Sequence, residues 1–169
     1  MKKILSLFLV TLFTVTIVSA QTGWVTHKAD NRVSVKFPNE PREISPGSVM
    51  SMLKDSSMVY VFTMVDFVQV AGIDSVALAP IKATPEFASQ LKSGIGQSLP
   101  GVNFADFTIG SYKGFTSYTS TGLDAKNKKY DMFMFIIGNK LYSLSTIMAS
   151  TVASTKSRDD YFASIVITN

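Results

Sequence analysis

The chain has 169 residues, with 16 Lys and Arg against 12 Asp and Glu, one histidine and no cysteine. The lack of cysteine excludes disulfides, thiolate metal sites and a lipid anchor attached to cysteine, and a single histidine leaves few donors for a metal or catalytic site. Two of the basic residues, Lys2 and Lys3, lie in the amino-terminal segment, so the remaining 14 against 12 acidic residues give a net charge near +2. That charge does not favour nucleic acid as a partner.

The first twenty residues have the pattern of an export signal. Two lysines precede an apolar run that ends at Val18, and Val18 and Ala20 are small residues at the −3 and −1 positions of a signal peptidase site. The run is shorter than the about 20 apolar residues of a membrane span. We therefore expect residues 1–20 to be a signal peptide cleaved after Ala20. Residues 21–169 should then form one domain without a transmembrane segment, in the periplasm or outside the cell.

The first strands of the mature chain are predicted on either side of a polar turn. A short strand at 24–28 precedes the alternating strand "VSVKF" at 33–37. Pro38 has no N–H for a sheet ladder, and Pro41 repeats the restriction. Strand pairing must therefore end here or lie at an edge, with the chain turning into the next hairpin.

Two later segments are apolar on both alternating sets of residues. These are 58–70, which a hairpin joins to a strand at 47–54, and "YDMFMFII" at 130–137. A strand that is apolar on both sides lies inside a sheet that is covered on both faces. The hairpin signal Gly138-Asn139-Lys140 follows the second segment. A meander is predicted from strands at 104–112, 115–121, 129–138 and 141–149.

Two segments predict the helices that cover this sheet. At 85–99, Thr84 can cap the helix and apolar residues recur every four positions. The second, from about 155 to 165, has Ser154 or Thr155 as its candidate cap. The sequence thus predicts an α+β fold, with a largely antiparallel sheet of about six to eight strands and helices on both faces.

Three stretches carry a family resemblance: "VSVKFPNEP" at 33–41, "MFMFIIGNKLYSLSTIM" at 132–148 and "RDDYFASIVI" at 158–167. In this order, over nearly the whole mature chain, they resemble the PsbP-like proteins. That superfamily has an antiparallel sheet between helices, and its members range from assistants of a photosynthetic complex to binders of a small GTPase. The resemblance implies a non-catalytic accessory or binding role. It transfers no functional residue to this chain.

His27 is the one imidazole available to a metal or catalytic site. We expect it to be an ordinary, partly exposed strand residue, because no second histidine or cysteine accompanies it. A hydrolase that uses His27 as the base for a serine remains the alternative activity. The serine motif G-x-S-x-G is missing, since "GQSLP" at 96–100 lacks the final glycine, and "GIGQSL" lacks the third glycine of a dinucleotide motif.

The best local cluster of oxygen donors is Asp124, Asn127 and Asp131. Lysines at 126, 128 and 129 interleave it and would repel Ca²⁺, so we expect a solvated loop and no metal site. The same lysines would be attracted to anionic lipids, which leaves a peripheral membrane-surface binding protein as a further alternative.

The remaining candidates have structural interpretations. Asp159 and Asp160 are neighbours on the predicted last helix, where neighbouring side chains do not face each other, and we expect them to stabilise the helix terminus. The methionines outside the leader sit in predicted strands and are expected in the core; they are Met50, Met52, Met58, Met64, Met132, Met134 and Met148.

The sequence therefore predicts an exported, non-enzymatic accessory or binding protein of the cell envelope. No cofactor, no metal and no catalytic residue are predicted. The expected partner is an envelope protein or a small ligand, and no binding residue is assigned.

Overall fold

The computed structural model describes residues 23–149 and 155–168. The predicted signal peptide, residues 1–20, and the candidate cap Ser154 lie outside the described residues. The strands within these ranges are β1 (Val25–Lys28), β2 (Val33–Phe37), β3 (Arg42–Ser45), β4 (Ser48–Met52), β5 (Met58–Asp66), β6 (Val102–Phe104), β7 (Thr108–Tyr112), β8 (Phe115–Asp124), β9 (Lys129–Ile137), β10 (Lys140–Met148) and β11 (Val166–Ile167). The helices are α1 (Phe67–Ala71), α2 (Ser75–Leu78), α3 (Pro85–Ser98) and α4 (Lys156–Ala163).

Eight strands form one antiparallel sheet in the order β3-β4-β5-β10-β9-β8-β6, with β7 also paired to β8. The predicted α+β fold with a large antiparallel sheet is confirmed. Both faces of the central strand β9 are buried: Met134 and Ile136 pack on one side, and Phe135 and Ile137 on the other. None of these four side chains is more than 3% exposed. Two-sided burial of this segment was predicted from its apolar pattern.

One face of the large sheet, called here the α3 face, is covered by α2 and α3. Thr84 caps α3 as predicted, because its Oγ1 accepts a hydrogen bond from Phe87 N at 3.3 Å, and Pro85 occupies the first turn. Phe87 and Leu78 pack with Tyr118 in the buried cluster on this face. Burial of such large side chains contributes about 1.5–3 kcal/mol each.

The opposite face, called here the α4 face, is covered by α4 together with a second, three-stranded sheet in the order β1-β2-β11. Tyr161 of α4 is fully buried, and its Oη donates to Val61 O at 2.9 Å. Its ring lies 5.4 Å from Phe37 and 5.1 Å from Tyr60, measured between ring centroids. Helix and small sheet therefore share this face.

The last helix is shorter than the predicted segment 155–165, because Ser164 ends it. Ser164 Oγ donates to Tyr161 O at 2.7 Å and accepts from Lys36 N of β2 at 3.0 Å. The chain then joins the small sheet, where Val166 pairs with Ser34. One side chain thus both terminates α4 and connects it to β2.

The proline-rich stretch marks a change of sheet. Pairing of β2 ends at Phe37, directly before Pro38, which confirms the predicted end of pairing. After Pro41 the chain forms β3, an edge strand of the large sheet that the sequence did not predict. Pro38 therefore separates two sheets.

Two predicted strands were too long. The segment 58–70 ends as a strand at Asp66, whose Oδ1 accepts from Val68 N at 3.0 Å and caps α1. The segment 104–112 is divided into β6 and β7, because the chain leaves the ladder of β8 between them. At Asp66, a local hydrogen bond to the backbone thus outweighs the β-propensity of the sequence.

Candidate functional site

A groove of about 540 Å³ opens on the α4 face, between α4 and β7. Its floor contains Thr119 and Thr121 of β8 and Phe133 of β9, which lie on one face because Thr119 pairs directly with Phe133. Both threonines are exposed. The helix α4 has only eight residues and covers the β5 side of this face, so the β8 side stays open.

One wall of the groove is fixed by an ion pair between the sheet and the helix. Asp131 of β9 has a side chain only 7% exposed, and its Oδ2 accepts from Arg158 Nη1 of α4 at 2.9 Å. Lys129 Nζ lies 3.2 Å from the other carboxylate oxygen. An unpaired carboxylate at this depth would be costly, so the pair holds α4 in place over β9.

The guanidinium of Arg158 is held by two carboxylates. Its Nε and Nη2 donate to Asp159 Oδ1 at 2.9 and 2.7 Å, in addition to the bond with Asp131. The hydrogen bond to Asp131, followed by that to Asp159, raises the pKa of Arg158 above its ordinary value although burial opposes the shift. Arg158 therefore acts as a fixed part of the wall, with its charge balanced by its own neighbours.

The other end of the groove is aromatic. The Tyr112 ring of β7 packs edge-on against Phe133 at 5.1 Å, and Phe133 lies 6.3 Å from Phe162 of α4, all measured between centroids. Lys113 Nζ lies 5.3 Å from the centre of the Tyr112 ring. Rigid aromatic rings beside threonine hydroxyls provide apolar area and hydrogen-bonding groups together, which is the usual composition of a recognition site.

His27 lies elsewhere, in a small cleft of about 190 Å³ that Ser48 and Glu43 also line. The imidazole packs edge-on against Phe37 and Phe62, with centroids 6.0 and 5.9 Å away. Burial lowers the pKa of His27, and the charge of Glu40 opposes this only in part. His27 makes no side-chain hydrogen bond to the described part of the chain.

The serine of this cleft is not placed to react with His27. Ser48 Oγ donates to Thr63 Oγ1 at 3.1 Å, and Thr63 lies on the opposite face of β5 from its neighbour Phe62. His27 contacts Phe62, so the imidazole and the hydroxyl are directed to opposite faces of the sheet. Ser48, the serine that lines this cleft, therefore does not form with His27 the pair that the alternative hydrolase would need.

The oxygen donors of the β8–β9 loop also separate. Asp124 Oδ1 accepts from the backbone N of Lys126 and Lys128 at 2.8 and 2.9 Å and so closes its own loop. Asp131 belongs to the ion pair with Arg158. Within residues 23–149 and 155–168, no group of three or more His, Cys, Asp or Glu side chains could hold a metal ion. Of the basic residues in this loop, Lys126 and Lys128 are exposed and Lys129 is paired with Asp131.

The acidic pair on α4 has two different roles. Asp160 forms an exposed pair with Lys156 at 2.7 Å, whereas Asp159 binds Arg158 and accepts from Thr155 Oγ1 at 3.3 Å. Thr155 is the cap residue as predicted, but its hydroxyl bonds to Asp159 instead of a backbone N–H. Four methionines are buried in the core as expected, namely Met58, Met132, Met134 and Met148. Met52 differs, because it is the last residue of β4 and 44% of it is exposed.

The residues that shape the groove were not identified from the sequence. One signal was available: Asp131 is the lone charge in the apolar strand "YDMFMFII", and a buried carboxylate requires a cationic partner. The sequence offers no means of choosing Arg158, 27 residues away, as that partner. Within the part of the chain that the structure describes, no helix is long and apolar enough to cross a membrane.

Comparison with known proteins supports the fold. No protein-family model and no curated protein matches the chain. The solution structure of the cyanobacterial PsbP from Synechocystis is similar, with a TM-score of 0.56 and 12% identity over 86% of this chain and 93% of that one. The predicted resemblance to PsbP-like proteins is therefore confirmed at the level of the fold.

Two further solved structures are more distantly similar. A protein from Bacteroides thetaiotaomicron has a TM-score of 0.46 and 13% identity over 81% of this chain, which spans only 45% of that protein. A Pseudomonas aeruginosa protein of unknown function has a TM-score of 0.45 and 8% identity, over 83% of this chain and 91% of that one.

Proposed function

We propose that the protein is an exported, non-enzymatic binding protein of the cell envelope, and that the groove between α4 and β7 holds its ligand or partner. Residues 1–20 are its signal peptide, cleaved after Ala20, and residues 21–169 form its single domain. The amino-terminal charge and apolar pattern support export.

The observation that carries the proposal is the way the groove is built. Thr119 and Thr121 stay exposed on the face of the sheet that α4 covers elsewhere, beside the nearly buried Asp131. The ion pair with Arg158 prevents α4 from moving onto the open strands, because breaking it would leave a buried charge unpaired. A preformed concave surface with aromatic and hydroxyl groups favours binding, since little ordering is needed when a ligand arrives.

The binding function is preferred over the alternative hydrolase on geometric grounds. The groove is lined by threonines, aromatic rings and charged side chains that are held in ion pairs, whereas His27 lines a separate cleft. The hydroxyl of Ser48 is directed to Thr63 and away from the imidazole. A serine hydrolase requires nucleophile and base within hydrogen-bond reach.

Native mass spectrometry of the protein purified gently from its own envelope tests the proposal. We expect a bound species that is lost in Thr119→Trp, which obstructs the floor of the groove, and retained in Thr26→Trp. Thr26 is a matched control, because it is also an exposed strand threonine but lines no part of the groove. The measured mass of the protein should correspond to a chain that begins at Gln21. Equal retention of the species by both variants, or its absence from the wild type, contradicts the proposal.

A further inference from the structure

We propose that the partner is an extended peptide segment that adds to the free edge of β7 as a further strand and directs alternate side chains into the groove. This inference rests on the proposed function, and names the class of partner. Strand addition of this kind gains affinity from main-chain hydrogen bonds and specificity from pockets for alternate side chains.

The free edge of β7 has backbone groups available. Among the described residues β7 pairs with β8 alone. The two are joined by the two-residue turn Lys113-Gly114, whose φ values of +50° and +84° fit a type I′ hairpin. Such a turn makes Tyr112 and Phe115 the closing hydrogen-bonded pair. Alternation along the ladder then directs the N–H and C=O groups of Ile109 and Ser111 outward, away from β8.

Cavities flank this edge on both faces of the sheet. On the α4 face, Thr108 and Tyr112 line the groove. On the α3 face, a second cavity of about 450 Å³ lies between α3 and β7, lined by Ala88, Phe107 and Ile109 among others. Because successive side chains of a strand point to opposite faces, a segment paired to β7 would place them alternately in the two cavities.

Gly110 provides the entrance to the groove. It lies between Thr108 and Tyr112 on the α4 face, where it pairs with Ser117. Without a side chain it leaves a gap in the row, and the peptide side chain beside it can pass over β7 toward Thr119 and Phe133. A Cβ at this position would have only Ser117 Oγ near it, at 3.3 Å. The gap therefore suits a long side chain from the added strand.

The opposite edge of the large sheet is protected, whereas β7 is not. The edge strand β3 contains Arg42 and Glu43 and an irregular register between Glu43 and Ser45. Charges and bulges of this kind prevent edge strands from pairing with other chains. The sequence of β7, "TIGSY", contains no charged residue. The partner segment is accordingly about five residues long, uncharged where it pairs with β7, and extended.

Selection from a displayed library of random heptapeptides against the purified protein tests the inference. We expect enriched peptides whose affinity falls about tenfold or more in Ser111→Pro, which removes one outward N–H without removing a bond of the β7–β8 ladder. Ser111→Ala is the matched control, and it should bind as the wild type does. Gly110→Val should also weaken binding, because it closes the gap.

A second measurement keeps the test valid even when Ser111→Pro does not fold. Each residue of an enriched peptide is N-methylated in turn and its binding to the wild-type protein is measured. Strand addition predicts that N-methylation of every second peptide residue abolishes binding, whereas N-methylation of the residues between them has no effect. The reason is that only alternate peptide N–H groups face β7. Uniform tolerance of N-methylation overturns the inference.

The inference and the proposed function fail in different ways. Peptides that are blocked by Thr119→Trp but are indifferent to Ser111→Pro and N-methylation overturn strand addition and leave the groove as a binding site. If no peptide is enriched while the envelope species is still lost in Thr119→Trp, strand addition is likewise wrong. If Thr119→Trp changes neither peptide binding nor the envelope species, the inference and the proposed function both fall.

Discussion

Asp131 and Arg158 form an ion pair, with 2.9 Å between Oδ2 and Nη1, that joins the centre of the large sheet to the last helix. The carboxylate is nearly buried, so its charge is tolerated only because the helix supplies a guanidinium. The ion pair also affects the shape of the groove. The pair fixes α4 at the border of the groove, with the exposed threonines of β8 on the other side.

Removal of this pair should destabilise the protein. We expect Arg158→Ala to lower the free energy of unfolding by about 2–3 kcal/mol, below the full cost of an unpaired buried charge because Lys129 still faces Asp131. Asp160→Ala removes the exposed Lys156–Asp160 pair of the same helix and should cost less than about 1 kcal/mol. Urea denaturation of both variants measures the difference. Equal losses of unfolding free energy would show that the ion pair with Asp131 contributes no more to stability than the exposed pair does.

Asp30 makes the attachment of the small sheet dependent on pH. Burial opposes its ionisation, but hydrogen bonds from Tyr142 Oη at 2.7 Å, the backbone of Arg32 and Lys140 Nζ outweigh burial and lower the pKa of Asp30 to about 2. Because the folded pKa lies below the ordinary value of 3.8, the stabilisation is complete above about pH 4 and disappears as the pH falls toward 2.

The variant Asp30→Asn should therefore be less stable than the wild type at pH 7, by about 1 kcal/mol after allowance for solvent screening. The gap between the two proteins should close between pH 4 and pH 2. Thermal unfolding across this range checks the prediction, with Glu43→Gln at the exposed edge strand as the control that follows the wild type. A gap that is constant down to pH 2 would contradict the assigned role of Asp30.

Two features require glycine at position 47, namely its backbone conformation and the close approach of β5. Its φ is +75°, and a Cβ would lie 2.7 Å from the carbonyl oxygen of Met64. Gly114 has a similar φ of +84° with no atom within 4 Å of the added Cβ, so its replacement tests backbone strain alone. We expect Gly114→Ala to cost about 1–2 kcal/mol and Gly47→Ala at least about 1 kcal/mol more. Chemical denaturation distinguishes the two, and equal costs would contradict the clash.

Pro38 should matter for stability and not for binding. It ends the pairing of β2 and does not line the groove, and Pro38→Ala adds freedom to the unfolded chain and an N–H beside the strand. We expect a loss of about 1 kcal/mol or less, with binding of the envelope species or of an enriched peptide unchanged. Selective loss of binding at unchanged stability would show that the stretch belongs to a site.

His27 should prove dispensable for function. Its lowered pKa, caused by burial against Phe37 and Phe62, keeps the imidazole neutral at pH 7. Because protonation is disfavoured in the fold, stability should fall as the pH drops below the ordinary value of 6.5. We expect no turnover of ester, peptide or glycoside panels by the purified protein and normal ligand binding by His27→Phe. Turnover that His27→Phe abolishes would establish the alternative hydrolase.

The sequence predicted what depends on local pattern. The apolar positions of β9, Thr84 as the cap of α3 and the end of β2 before Pro38 each follow from the residues beside them. The small sheet could not be predicted in this way, because β11 contributes only two residues and its partner β2 lies near the other end of the sequence. The groove was missed for the same reason. Asp131 and Arg158 meet only through tertiary structure, and neither residue alone indicates an open face beside α4.

Site-specific photo-crosslinking in cells of the native host tests the central claim, that the groove is the binding surface, most directly. A benzophenone amino acid is placed at Thr108, an exposed threonine of β7 at the border of the groove, and, as the matched control, at Thr26 on β1. The account predicts a discrete crosslinked species from position 108 that position 26 does not give, and that Arg158→Ala diminishes. The same species from both positions, or none from position 108, would contradict it.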